Sequence, residues 1–149
     1  MKIRLLQKND IGAASKIVGM NYSKKFERAS KEEITAMFQR GPVPPMYFVA
    51  EEKGEVIGFA GYIQSWMDYY IYQIFWVNVH PQYKRKGIGK KLVGKLISEI
   101  KKKRNAKLIL LTANSAVGNE RYYSQNFGFK TIQRFDNKRE HLMVLSLEK

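Results

Sequence analysis

From Tyr69 to Val79 the chain is rich in aromatic and β-branched residues and apolar on both faces, the pattern of a strand buried on both sides within a sheet. Pro81 ends it. After the basic loop Gln82-Tyr83-Lys84-Arg85-Lys86-Gly87, the residues Ile88, Leu92, Val93, Leu96, Ile97 and Ile100 recur at helical spacing, with Lys90, Lys91, Lys95, Glu99 and Lys101 between them. Strand, glycine-bearing basic loop and helix therefore follow one another directly, and the helix is predicted to begin at or near Gly87. This junction constrains the fold more than any other stretch, because a fully buried strand needs a sheet neighbour on each side and layers above and below.

The junction also favours an anion. The first backbone N–H groups of a helix lack intrahelical partners, and the macrodipole adds roughly half a positive charge at that end. Gly87 and Gly89 let a ligand approach the backbone closely, while Lys84, Arg85, Lys86 and Lys90 supply full charges. The loop fits a pyrophosphate. It is not a Walker A loop, which needs Gly-x-x-x-x-Gly-Lys-Ser/Thr. It is not a dinucleotide fingerprint starting at Gly87 either, because Leu92 stands where the third glycine would be.

Lys84-Arg85-Lys86-Gly87-Ile88-Gly89 after a Val-x-Val-His-Pro strand resembles motif A of the GNAT family of N-acetyltransferases, usually Arg/Gln-x-x-Gly-x-Gly/Ala, with Lys84 in the Arg/Gln place. The resemblance implies an α/β (α+β) single-domain fold spanning 1–149. Its sheet would be mixed and mostly antiparallel, with one parallel strand pair splayed around the cofactor and about four flanking helices. It further implies acetyl coenzyme A as cosubstrate. The backbone of Val77, Asn78 and Val79 would pair with the pantetheine arm, and Arg85, Lys86, Gly87, Ile88, Gly89 and Lys90 would hold the pyrophosphate.

The size of the chain, 149 residues, suits one core, and with 44% hydrophobic and 13% aromatic residues the whole is expected to fold. The absence of Cys excludes disulfides and a Cys nucleophile and fits a reducing cytoplasm. The two histidines, His80 and His141, are far apart in sequence, which argues against a metal site. The N-terminal residues lack an apolar signal core, and no run approaches the roughly 20 apolar residues of a membrane span. A cytoplasmic location is expected. The formal charge is +14, and Lys84 to Arg104 holds ten basic residues against the single acid Glu99. Such a field suits a solvated helix face or a polyanionic ligand.

In chain order, Ile3 to Leu6 is a candidate strand, followed by Asn9 or Asp10 as N-cap and a helix to Tyr22. Ser30-Lys31-Glu32-Glu33 has the form of a capping box opening a second helix, which Gly41-Pro42-Val43-Pro44-Pro45 ends. Met46 to Glu51, Val56 to Gln64 and Tyr69 to Val79 are predicted as three antiparallel strands, with turns at Glu52 to Glu55 and Trp66 to Asp68. After the basic helix, Lys107 to Thr112 is a strand that the crossover makes parallel to Tyr69–Val79. A loop over Asn114 to Gly118 and a short helix over Asn119 to Asn126 follow. Strands over Phe129 to Phe135 and His141 to Leu147 come last, joined through Asp136-Asn137-Lys138.

The family's second motif, Asn-x-x-Ala-x-x-x-Tyr-x-x-x-Gly-Phe, is similar to the segment ending in Gly128-Phe129, with Ser124 at the tyrosine position. The resemblance implies Asn119 as a cofactor contact and Tyr123 as the acid that protonates the departing thiolate, with Ser124 as rival. Where some members carry a carboxylate on the long strand, Gln73 and Asn78 stand here. Glu27, Glu32, Glu33 or a water chain remain as bases, and none is singled out. The function implied is acetyl transfer from acetyl coenzyme A to a primary amine of a protein N-terminus, a lysine or a small molecule, by direct attack in a ternary complex. The alternatives are another acyl group, or a noncatalytic basic module that binds nucleic acid or acidic protein. The partners expected are coenzyme A and an amine acceptor, with a homodimer left open, no membrane, no metal, and nucleic acid only weakly and without sequence preference.

Overall fold

The computed structural model describes residues 1–66, 68–114, 118–136 and 139–148. The expected turn at Trp66 to Asp68, the loop before Gly118 and the Asp136 to Lys138 connection therefore lie partly outside the described residues. The elements run β1 (Lys2–Leu5), α1 (Ile11–Asn21), α2 (Lys24–Thr35), β2 (Met46–Glu52), β3 (Glu55–Gln64), β4 (Ile71–Val79), α3 (Ile88–Lys101), β5 (Leu108–Asn114), α4 (Asn119–Phe127), β6 (Lys130–Arg134) and β7 (Glu140–Ser146). Seven strands form one sheet in the order β1-β2-β3-β4-β5-β7-β6, antiparallel except for β4 and β5. That is the element order and single parallel pair expected from the sequence. Among the described residues, no helix is long and apolar enough to cross a membrane.

One predicted helix start and one predicted cap are corrected, while α1 begins at Ile11 as expected. Helix α2 begins a full two turns before Ser30, because Ser23 caps it by accepting the Phe26 N–H at 3.4 Å. Ser30 sits buried in mid-helix and donates its hydroxyl to the Glu27 carbonyl at 2.9 Å, so the Ser30/Glu33 spacing is a helical repeat and not a cap. Asp10 stands at the N-cap position of α1 without capping it. Its carboxylate instead takes both Arg4 terminal nitrogens, at 2.7 and 3.0 Å, and the Gln7 N–H at 2.7 Å, tying β1 to the start of α1.

The sheet separates two cores. On one face the six apolar positions predicted for α3, from Ile88 to Ile100, are all buried against Ala60, Ile74 and Ile109 of the sheet. Each such side chain contributes about 1.5–3 kcal/mol. On the other face α1 and α2 cover Tyr47, Val49 and Phe59. Gly61 makes that layer fit: a Cβ there would come 2.5 Å from Cε1 of Tyr47, so only a bare α-carbon lets the ring lie flat on β3.

The sheet is interrupted twice at its centre. Register passes from Gly61 opposite Phe75 to Phe59 opposite Asn78, so Ala60 alone faces both Trp76 and Val77: a β-bulge, with Trp76 at φ 52°. A bulky side chain in that region is held only by its surroundings, at a cost of about 1–3 kcal/mol. The extra residue inverts the alternation. Tyr72 and Ile74 face α3, and beyond the bulge Val77 and Val79 face it, while Phe75 and Trp76 both turn toward α1 and α2. The second interruption is the end of parallel pairing: β4 meets β5 only at Ile71–Leu108, Tyr72–Ile109 and Gln73–Leu110. Past that point β4 stays with β3 and β5 with β7, and the two halves of the sheet diverge.

Candidate active site

The diverging strands open into a cleft of about 560 Å³, bounded by the end of β4, the loop before α3, and the first turns of α3 and α4. This is within the usual size for a ligand site. The loop is shaped by two residues in the left-handed region, Arg85 at φ 64° and Gly87 at φ 79°. Gly87 is the N-cap of α3, and no side chain caps that helix. The first-turn N–H groups thus face the cleft without a side-chain competitor, and Lys84, Arg85 and Lys90 line it. Alternating backbone handedness of this kind gathers N–H groups into an anion-binding concavity. Gly89 completes it: a Cβ there would project into the cleft, 3.6 Å from the Tyr122 hydroxyl and 3.8 Å from Cγ2 of Val79.

The β4 wall of the cleft carries backbone that β5 does not pair. His80 donates its N–H to the Ile57 carbonyl at 2.8 Å, and the Asn78 carbonyl lies on the β3 side, 3.1 Å from a Cβ built on Gly58. Antiparallel alternation then turns the polar groups of Val77 and Val79 the other way, into the gap left by β5. The Val79 carbonyl confirms the direction, because it accepts from Asn21 Nδ2 across the cleft at 3.0 Å. Of the three residues expected to offer backbone, Asn78 contributes its side chain instead, whose Oδ1 also accepts from Asn21 Nδ2 at 3.0 Å. Asn21 Oδ1 is buried with no partner among the described residues. An orphaned acceptor beside outward strand groups is what an amide-bearing ligand would satisfy.

Helix α4 supplies the far wall. Asn119, Tyr122 and Tyr123 line the cleft. Tyr123 is buried against Phe127 and Phe129, and burial pushes its phenol well above the ordinary value, with Tyr122 and Tyr22 adding to the effect. Burial likewise raises Tyr122. Both hydroxyls lack hydrogen-bond partners among the described residues. The helix is pinned by Glu120, whose carboxylate accepts from the Thr131 hydroxyl at 2.7 Å and makes a short contact with His141 Nδ1. Those bonds, the Thr131 hydroxyl first, hold the Glu120 carboxyl below its ordinary value.

Most of the residues predicted from sequence converge here: Val77, Asn78, Val79, Arg85, Gly87, Ile88, Gly89, Lys90, Asn119 and Tyr123 all line this cleft. Lys86 does not. Its ammonium lies over the Tyr83 ring, 5.2 Å from the centroid. Ser124 is exposed one position further around α4 and is outside the lining. Asn21 and Tyr22, at the end of α1, were not foreseen. Nothing in a helix C-terminus reads as a site until the fold brings it to β4.

Fold and cleft together leave an elongated opening between two parting strands, with cationic side chains and the uncapped start of α3 at one end. Residues 14–129 match the model of the acetyltransferase (GNAT) family, and the chain belongs to that family. Among solved structures, a GNAT-family protein from Desulfovibrio desulfuricans is 14% identical, with 99% of each chain covered and a TM-score of 0.85. An aminoglycoside 6'-N-acetyltransferase complexed with coenzyme A is 16% identical, covering 100% of this chain and 98% of its own, at a TM-score of 0.80. An acetyltransferase from Salmonella typhimurium with acetyl-CoA is 20% identical, covering 99% and 94%, at 0.73. At these identities the likeness is one of fold. No curated protein matches the chain in sequence.

Proposed function

We propose that the protein transfers the acetyl group of acetyl coenzyme A to a primary amine by direct attack within a ternary complex. The observation that carries this is the outward edge of β4 at Val77 and Val79 leading straight to the uncapped start of α3. One end suits a pantetheine-like chain bearing amides, the other a pyrophosphate.

In this reading Lys84, Arg85, Lys90 and the first-turn N–H groups of α3 hold phosphate, while Val77 and Val79 align the arm as a neighbouring strand would. Asn21 Oδ1 takes a ligand N–H. The cosubstrate supplies an acetyl group already activated as a thioester. Tyr123 carries its proton at neutral pH, as any phenol does, and in this reading delivers it to the departing sulfur as charge develops there; burial raises the phenol and so opposes the step.

The test is binding before turnover. Acetyl coenzyme A should raise the melting temperature of the wild-type protein, increasingly with ligand excess. Gly87→Glu, which puts a side chain and negative charge where φ is 79°, should stay folded and lose the shift. Absence of any wild-type shift at millimolar ligand would overturn the assignment.

A further inference from the structure

Across the sheet from α3 lies a second concavity. Two adjoining hollows of about 530 and 540 Å³ share Val43, Ile63 and Gln73 and so form one groove under the segment 39–45. It runs from Trp66 to Glu33 and passes Gln73 and Leu110, the last pair joining β4 to β5. The groove therefore opens where the strands begin to part, on the face opposite α3. Its walls are Phe75, Trp76, Tyr47 and aliphatic side chains.

Its polar groups are few. Glu33 Oε2 accepts the Trp76 indole N–H at 2.7 Å, which fixes the carboxylate at the groove's edge with its other oxygen unbonded among the described residues. Tyr47, 1% exposed, lines the groove, and its hydroxyl has no hydrogen-bond partner among the described residues. A polar atom so placed, at the bottom of an apolar groove, needs a ligand or a water. The other acids near this face are occupied or turned away. Asp68 accepts the Tyr70 N–H within its own turn at 3.1 Å, and neither Glu27 nor Glu32 lines the groove.

We propose that this groove is the acceptor subsite and that it selects amines bearing one positive charge on a flat apolar body. This rests on the acetyltransferase reading above. The ammonium sits against Glu33 within reach of the Tyr47 hydroxyl, and the apolar body lies along Phe75, Trp76 and Ile63. One proton leaves the ammonium to solvent along Glu33. The amine nitrogen then forms a bond to the thioester carbonyl carbon as the carbon–sulfur bond breaks. The sulfur leaves with the electron pair and receives a proton, and the second amine proton is released. A single carboxylate cannot neutralise a polyamine or an aminoglycoside on a chain of net charge +14.

The two tryptophans of the chain, Trp66 and Trp76, stand at the two ends of the groove, so its occupancy is visible without turnover. Titration with 2-phenylethylamine should change the indole fluorescence saturably, and spermidine and kanamycin should not at equal concentration. Glu33→Gln keeps an oxygen for the Trp76 N–H and removes only the charge. It should weaken phenylethylamine, in the titration and in KM, by about tenfold or more, with the acetyl coenzyme A melting shift unchanged. Tighter binding of spermidine or kanamycin, or an unaltered Glu33→Gln titration, would sink the proposal. If the melting shift with acetyl coenzyme A is present while the fluorescence is silent, only the acceptor subsite is wrong; if the shift itself is missing, the underlying function is.

Discussion

Two residues show how little separates packing from chemistry in this chain. Tyr123 and Tyr47 are both almost fully buried, and desolvation raises both phenols, yet each leaves its hydroxyl unbonded at the floor of a cavity. A phenylalanine would fill either place as well, so the hydroxyl is the informative atom. Tyr123→Phe should lower turnover by about 10²- to 10⁴-fold and leave acetyl coenzyme A affinity nearly unchanged, with Tyr122→Phe as control; thiol release under saturating substrates measures it. A normal rate in Tyr123→Phe would mean that the thiolate departs without a side-chain acid. Gly61 is the complementary case, a residue defined by what it lacks. Because an added carbon would lie 2.5 and 2.6 Å from Cε1 and Cδ1 of Tyr47, Gly61→Ala overpacks the face under α1 and should destabilise the protein by about 1–3 kcal/mol in denaturant unfolding.

Elements add what no single residue carries. Helix α1 brings Asn21 and Tyr22 to the cleft, and its start is tied to β1 by Arg4 and Asp10. The Arg4 hydrogen bonds, with help from the Gln7 N–H, lower the Asp10 carboxyl against the opposing effect of burial. The folded-state value lies below the unfolded one, so the stabilisation is complete above about pH 4 and is lost as pH falls through the folded value. Asp10→Asn should cost about 2 kcal/mol at neutral pH, shrinking toward zero in acid, as urea midpoints measured against pH would show. The same scale explains what could be read from the sequence. The α3 junction was legible because glycine, lysine and helical spacing each carry independent physical meaning at Gly87. The bulge at Trp76 was not: Gln73 and Asn78 stand an odd five positions apart, but in a strand apolar on both faces two polar residues do not fix the alternation that an inserted residue would break. The α2 start was lost for a related reason, since Ser23 is followed by no acidic partner at the third helical position, whereas Ser30 has Glu33 by accident of the helix repeat.

At the scale of the whole molecule the charge is divided by the length of α3. Its 14 residues separate the cleft-facing end from Lys101 to Arg104 by roughly 20 Å. A short DNA duplex should therefore bind weakly, without sequence preference and with steep salt dependence. Replacing Lys101 and Lys103 by Glu should weaken it further while the acetyl coenzyme A melting shift stays the same. Tight, sequence-selective binding would instead favour a nucleic-acid module on this fold. The parting of β4 from β5 has one more consequence, in time and not in space. The amides of Val77 and Val79 face an open gap, while that of His80 is bonded to Ile57. In deuterated solvent the two valines should exchange early and His80 late. A chain lying along β4 would slow the first pair without touching the third. Two backbone hydrogens thus form a built-in isotopic record of how long the cleft stays filled.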